Sequence, residues 1–120
     1  MKIVVLDAFG VNPGDLSWDF LKKYGQVDIY DRTEQSEMVS RCEGADVVLS
    51  NRTAITRALL EACPSIKFIS TLGTGYDMID LEACRERGVV VCNVPAYSSD
   101  SVAQLAFLLI LNLTTDLNAF

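Results

Sequence analysis

Five short runs of apolar, largely β-branched residues recur along the chain, each followed by a segment with helical spacing or turn chemistry. The runs are Ile3-Val4-Val5-Leu6, Val27-Asp28-Ile29-Tyr30, Asp46-Val47-Val48-Leu49, Ile66-Lys67-Phe68-Ile69-Ser70 and Val89-Val90-Val91-Cys92. Continuous apolar runs of this length suit parallel strands buried on both faces, and the more alternating second run suits an edge strand. After the Asn12-Pro13-Gly14-Asp15 break, Leu16, Trp18, Phe20, Leu21 and Tyr24 predict a helix stopped by Gly25. Thr33 with Ser36-Glu37 predicts the start of a second helix, with Met38, Val39 and Cys42 on one face and Gly44 at its end. Thr56 is the expected cap of a short helix through Leu59, Leu60 and Ala62, closed by Pro64. Asp80 is the expected cap of another through Leu81, Ala83 and Cys84, ending near Gly88. Ser99 or Asp100 is expected to cap a long last helix reaching about Leu117.

Strands alternating with helices give an α/β doubly wound sheet, with parallel strands and right-handed crossovers. Among the common orders for five strands, the flavodoxin-like 2-1-3-4-5 suits one compact layered domain. The length of 120 residues and the 50% hydrophobic composition supply one core of ordinary size. Asn112 and Thr114 interrupt the longest apolar run before it reaches the ~18 residues that span a bilayer. With no signal-peptide pattern after Met1, the expectation is a soluble cytoplasmic protein without a membrane partner. The net charge is −6 and no Lys/Arg cluster breaks it, so nucleic acid is not an expected partner. The chain has no histidine, which removes the usual neutral-pH acid/base and any His-containing metal site. Cys42, Cys63, Cys84 and Cys92 form no CxxC pair; they read as reduced, core-packed thiols, and no metal site is expected.

In open α/β sheets ligands bind beyond the carboxyl ends of the strands. Those ends are Asp7 to Gly10, Ser50 to Thr53, Thr71 to Tyr76 and Asn93 to Tyr97. Gly73-Thr74-Gly75 is the sharpest local feature. It is half of a GxGxxG fingerprint, but Met78 holds the third glycine position and the loop follows the fourth strand. A tight turn is one reading; the preferred one is an anion nest, whose backbone N–H groups hold a carboxylate with no acid side chain in the way. Arg52, the only cation in these loops, either binds a carboxylate bidentately or pairs with a surface acid. Asp7 is placed to accept a hydrogen bond or cap its loop. Tyr76 and Tyr97 either line a pocket or cover the sheet edge.

The stretch from Ile69 to Cys84 with Arg87-Gly88-Val89, and Val91 to Ser98 followed by Ser101-Val102-Ala103-Gln104, resembles the D-isomer-specific 2-hydroxyacid dehydrogenases. Met1 to Gly14 and Asp31-Arg32-Thr33 look most like the glycerate dehydrogenase, or hydroxypyruvate reductase, branch. The resemblance covers the whole chain. It implies that residues 1–98 form the core of a flavodoxin-like substrate domain and that residues 99–120 form a helix leading toward a nucleotide-binding domain. It implies a small 2-keto or 2-hydroxy acid as ligand, bound weakly at most, with Thr74, Gly75 and Tyr76 on its carboxylate and Asn51 and Arg52 nearby. The complete enzymes reduce 2-keto acids with NAD or NADP cofactors, using an arginine and a histidine paired with an acid. None of these groups maps onto a residue here, so no catalytic and no cofactor-binding residue is assigned, and the isolated chain is expected to be an inactive truncated domain.

The last helix departs from the family pattern. Leu105 stands where many relatives carry a histidine, and from Val102 to Leu113 only Gln104 and Asn112 are polar. A helix apolar all round needs cover on more than one side. A homodimer through this helix is therefore expected, with fold-back and swapping as the other outcomes. Rival functions fit less well. Ala8 to Gly14 lacks the Ser/Thr-rich cradle of an FMN site, and Ser50-Asn51 and Asn93-Val94 lack the acid and lysine of a phospho-receiver. A stand-alone scaffold or binding module without enzymatic activity remains the alternative.

Overall fold

A computed structural model describes residues 1–115. Five strands form one parallel sheet: β1 (Lys2–Val5), β2 (Gln26–Ile29), β3 (Val47–Ser50), β4 (Phe68–Thr71) and β5 (Val90–Cys92). Their order is β2-β1-β3-β4-β5, as expected, and every pairing is parallel. The helices are α1 (Met38–Cys42), α2 (Arg57–Ala62), α3 (Leu81–Glu86) and α4 (Ser99–Thr115).

Strand alternation sends the side chains of the sheet into two clusters. On one face Val4, Leu6, Val48 and Ile69 pack under α1, α2 and α3, meeting Met38, Cys42, Leu59, Leu60, Ala83 and Cys84. On the other, Ile3, Val5 and Ala8 pack with Leu21, flanked by half-buried Trp18, Val27, Val47 and Leu49. The expected caps of α2 and α3 form. Thr56 Oγ1 accepts from the Leu59 N–H at 3.3 Å and Asp80 Oδ1 from the Ala83 N–H at 2.9 Å.

Four local expectations need correction. Residues 16–24 do not form an α-helix; a 3-10 segment spans only Asp19–Tyr24. The Asn12 side chain instead organises the approach, accepting from the Gly14 and Leu16 N–H groups and donating to the Leu16 carbonyl. Leu21 alone is buried there, while Leu16, Phe20 and Tyr24 face solvent. Thr33 does not begin the helical turn before α1; Glu34 does, through a reciprocal capping box with Glu37, and Val39 lies exposed beside buried Met38 and Cys42. Cys42, Cys63 and Cys84 are buried free thiols, and burial pushes the Cys42 thiol up to about 12, but Cys92 on the edge strand is exposed. Finally, α4 starts at Ser99, so Ser99 and Asp100 sit inside its first turn rather than ahead of it. The expected end of that helix near Leu117, like the rest of residues 116–120, lies outside the described residues.

No residue of α4 is buried. The helix projects from the sheet, giving axes of 58 × 31 × 25 Å and a radius of gyration of 17.8 Å. A compact chain of this length would have a radius of about 14 Å. No described helix is long and apolar enough to cross a membrane.

Gly25 sets the start of β2. Its φ is +156°, and a Cβ there would lie 2.0 Å from the Met1 carbonyl oxygen. That oxygen accepts the Gln26 N–H at 3.0 Å, next to the first rung of the β1–β2 ladder. Gly25→Ala is therefore expected to cost more than about 1 kcal/mol, because the native backbone cannot accept the side chain. Urea denaturation measures this, with loss of amide-exchange protection confined at first to Gln26–Ile29.

Candidate functional site

The carboxyl ends of β1, β2 and β3 are tied together by one side chain. Asp7 follows β1 in the left-handed region, with φ 60°. Its Oδ2 accepts the Arg52 N–H at 3.1 Å, the Thr53 N–H at 2.9 Å and the Thr53 hydroxyl; its Oδ1 accepts the Thr33 N–H at 3.3 Å. Partial burial alone would raise the Asp7 pKa. The Thr53 hydroxyl and the three backbone donors outweigh it and hold the carboxyl below its ordinary value. The Ser50 hydroxyl, itself buried, donates to the Thr53 carbonyl at 3.1 Å and closes the same loop.

Asn51 lies on this loop between two glycines. A Cβ on Gly10 would come within 3.0 Å of its Nδ2, and one on Gly73 within 3.8 Å of its Oδ1. Both glycines thus leave room for the amide at the mouth of a cleft of about 310 Å³. Asn51, Thr53, Thr71, Gly73, Thr74, Gly75, Tyr76, Asp77 and Tyr97 contribute to its wall. The β4 loop is held from two directions. The Thr71 hydroxyl donates to the Gly73 carbonyl at 2.6 Å, and Asn93 Nδ2 donates to the Thr74 carbonyl at 2.9 Å. The Val94 N–H donates to the Gly73 carbonyl at 3.0 Å, and the Thr74 hydroxyl to the Val94 carbonyl at 2.9 Å. Among the described residues no protein acceptor meets the backbone N–H of Thr74, Gly75 or Tyr76. A fixed loop with free donors beside an amide side chain can hold a small carboxylate.

The structure brings together Asn51, Thr74, Gly75 and Tyr76, and adds Tyr97 to the pocket lining. It does not bring Arg52 into this cleft. Arg52 lines a neighbouring cleft of about 700 Å³ with Asp7, Phe9, Arg32, Thr33 and Glu34, and Asn51 borders both. The Arg32 guanidinium there lies 5.6 Å from the Phe9 ring centre. The expectation of a nest free of acid side chains is also wrong. Asp77 lines the same cleft, with its Oδ2 3.8 Å from where a Gly75 Cβ would lie. Sequence reasoning gave Thr53 no role, although a threonine three residues past a strand end is a natural partner for a neighbouring carboxylate.

Gly73-Thr74-Gly75 does not fit a dinucleotide pyrophosphate. The next helix, α3, begins six residues after Gly75, spans six residues, and its first turn is capped by the Asp80 carboxylate. An acid already occupies the Ala83 N–H and places a negative charge where a pyrophosphate would have to sit. No described group of His, Cys, Asp and Glu is arranged to hold a metal ion.

Residues 3–115 match the family D-isomer specific 2-hydroxyacid dehydrogenase, catalytic domain. The chain is 43% identical over 116 residues to a hydroxypyruvate reductase from Blautia hydrogenotrophica, covering 94% of this chain and 36% of that protein. It is 27% identical over 104 residues to the glycerate dehydrogenase of Methylorubrum extorquens, covering 86% of this chain and 32% of the relative. Among solved structures, an acyclic imino acid reductase in complex with NADPH and D-Arg superposes with a TM-score of 0.77 at 27% identity, covering 93% of this chain and 36% of that one. The chain thus spans about a third of the length of these relatives.

Asp7→Asn tests the tie at the carboxyl edge. Asparagine tolerates the left-handed backbone but loses the charge and one acceptor oxygen. The expected loss is about 1.5–3 kcal/mol, the range for hydrogen bonds to a charged group. Because the folded-state pKa of Asp7 lies below its ordinary value, its stabilisation is complete above the ordinary value of 3.8 and is lost as pH falls through the folded pKa. Acid-induced unfolding followed by circular dichroism should therefore be shallower in the variant, with the two proteins converging at low pH.

Proposed function

The chain belongs to the D-isomer specific 2-hydroxyacid dehydrogenases, and from that premise we propose that it forms the substrate-binding part of an NAD(P)-dependent reductase of small 2-keto acids. The observation that carries this reading is the fixed β4 loop: Thr74, Gly75 and Tyr76 line a cleft bordered by Asn51, and their N–H groups meet no acceptor among the described residues. Those donors take the substrate carboxylate, and the Asn51 amide meets its keto or hydroxyl end. Arg52 acts from the adjoining cleft, on a longer substrate or on one that reaches past Asn51. Asp77 keeps the affinity low by standing beside the anion. Hydroxypyruvate and glyoxylate are the ligands in keeping with the hydroxypyruvate reductase and glycerate dehydrogenase relatives.

Residues 1–98 form the substrate domain in this reading, and residues 99–120 lead away from it toward a nucleotide-binding domain. NAD or NADP is bound by that second domain in the complete enzyme, not by the residues described here. A cytoplasmic setting accords with four cysteines that are all free thiols. The exposed apolar helix α4 supports self-association of the chain as a homodimer. No nucleic-acid or membrane partner is proposed. With no histidine in the sequence, proton transfer coupled to hydride transfer has no candidate donor of that kind in this chain.

Two measurements test the assignment. Purified 120-residue chain should show no NADH- or NADPH-dependent reduction of glyoxylate or hydroxypyruvate; measurable turnover would overturn the division of labour. In an NMR titration with hydroxypyruvate, the Thr74, Gly75 and Tyr76 amides should shift with a Kd of roughly millimolar order, about −4 kcal/mol. Asn51→Ala should weaken that binding about fivefold, near the 1 kcal/mol of one hydrogen bond. Unmoved amides at saturating ligand would instead favour a bare scaffold.

A further inference from the structure

Two successive carbonyls of the β4 loop turn to the same neighbour, which an extended strand does not do unaided. In a parallel ladder the peptide groups of one strand turn alternately to the strands on its two sides. Strand β4 lies between β3 and β5, and past its end the alternation at first continues. The Leu72 N–H donates to the Ser50 carbonyl on the β3 side at 2.8 Å, and the Gly73 carbonyl accepts the Val94 N–H on the β5 side at 3.0 Å. The next carbonyl, that of Thr74, is due to face β3. It turns to the β5 side instead, where Asn93 Nδ2 donates to it at 2.9 Å.

The consequence lies in the other half of each peptide group. The peptide bonds of the described residues are all trans, so each N–H points opposite to the carbonyl it is bonded through. The Gly73 carbonyl therefore directs the Thr74 N–H, and the Thr74 carbonyl directs the Gly75 N–H. With both carbonyls drawn toward residues 93 and 94, both N–H groups turn to the β3 side. That is the side of Asn51, whose Oδ1 lies 3.8 Å from where a Gly73 Cβ would be, and of the cleft that Thr74 and Gly75 line. Successive N–H groups on one side of the chain are what an anion-binding concavity is made of. Asn93 stands behind the loop: it lines a separate hollow of about 190 Å³ with Tyr76, Leu81, Val91 and Cys92, not the cleft itself. Without its amide, regular alternation would bring the Thr74 carbonyl oxygen to the cleft, where it would repel a carboxylate.

We propose that Asn93 is a positioning residue of the site: its amide turns the Thr74–Gly75 peptide so that the Gly75 N–H joins the Thr74 N–H in taking the substrate carboxylate. This rests on the carboxylate reading proposed above and adds the side chain that creates the donor pair. It needs only bonds within residues 71–94.

The orientation can be read without ligand. In a weakly aligned sample, the residual dipolar coupling of each backbone N–H reports the direction of that bond. Asn93→Ala should change the Gly75 coupling and leave that of Thr74, whose peptide is still held by the Val94 N–H. Asn93→Asp keeps the size of the side chain but at neutral pH has no proton to donate, so it should change the same coupling. Titrated with hydroxypyruvate, Asn93→Ala should show a Kd raised about fivefold, the worth of one hydrogen bond. A Gly75 coupling unchanged in both variants, or native affinity in Asn93→Ala, would overturn the proposal while the carboxylate reading stands. If the Thr74, Gly75 and Tyr76 amides of the native chain do not move with hydroxypyruvate, the carboxylate reading falls and the proposal falls with it.

Discussion

The carboxylate of Asp7 is the interaction on which the carboxyl edge of the sheet depends. Four donors converge on it from Thr33, Arg52 and Thr53, two loops distant in sequence from β1 and from each other. Those loops follow β2 and β3, which flank β1 in the sheet. A single ionised side chain at the end of β1 thus ties down the loops of both neighbouring strands. Through the Asn51–Thr53 segment it also sets the wall that faces the β4 loop. The left-handed backbone at Asp7 is a cost of order 1 kcal/mol for a non-glycine residue. It persists because the four hydrogen bonds over-determine the position.

Much of the fold is legible in the sequence because the strands are short, apolar and buried. Val4, Val5, Val48 and Ile69 sit in runs too brief for an amphipathic helix and too apolar for a loop, and all four are fully buried. The caps at Thr56 and Asp80 are legible because their chemistry is local: a side-chain oxygen and an N–H three residues ahead. The segment from Leu16 to Tyr24 was not, and the reason is physical. Its aromatic spacing matches a helix, but an isolated stretch of nine residues gains little from helix formation without a surface for its apolar stripe. Here only Leu21 finds one, and the Asn12 side chain takes up the backbone groups that a first helical turn would have used.

The site divides in the same way. The two glycines of the β4 loop are informative on their own, since free backbone donors near a strand end follow from local sequence. Arg52 and Asp77 are not, because which cleft a side chain enters is decided by the loop's tertiary anchoring. Asp7 binds the Arg52 and Thr53 N–H groups and so fixes the loop with Asn51 toward Gly73 and Arg52 toward Phe9. Asp77 lies past Gly75, two residues before the isolated bridge between Ile55 and Ile79, and lines the cleft. Long-range hydrogen bonds therefore decide the charge of the cleft, and the sequence carries no local trace of them.

The asymmetry between the two faces of the sheet follows from where the chain goes after each strand. The connections after β2, β3 and β4 all carry their helices to the face with Leu6 and Met38, and that face closes into the larger cluster. Only the connection after β1 runs over the other face, and it supplies a 3-10 segment with one buried leucine. The connection after β5 is therefore the remaining source of cover within the described chain. It is bound instead to the β4 loop, through Asn93 and Val94. The hydrogen bonds that hold the candidate carboxylate loop in shape thus also fix the start of the link that leads to α4.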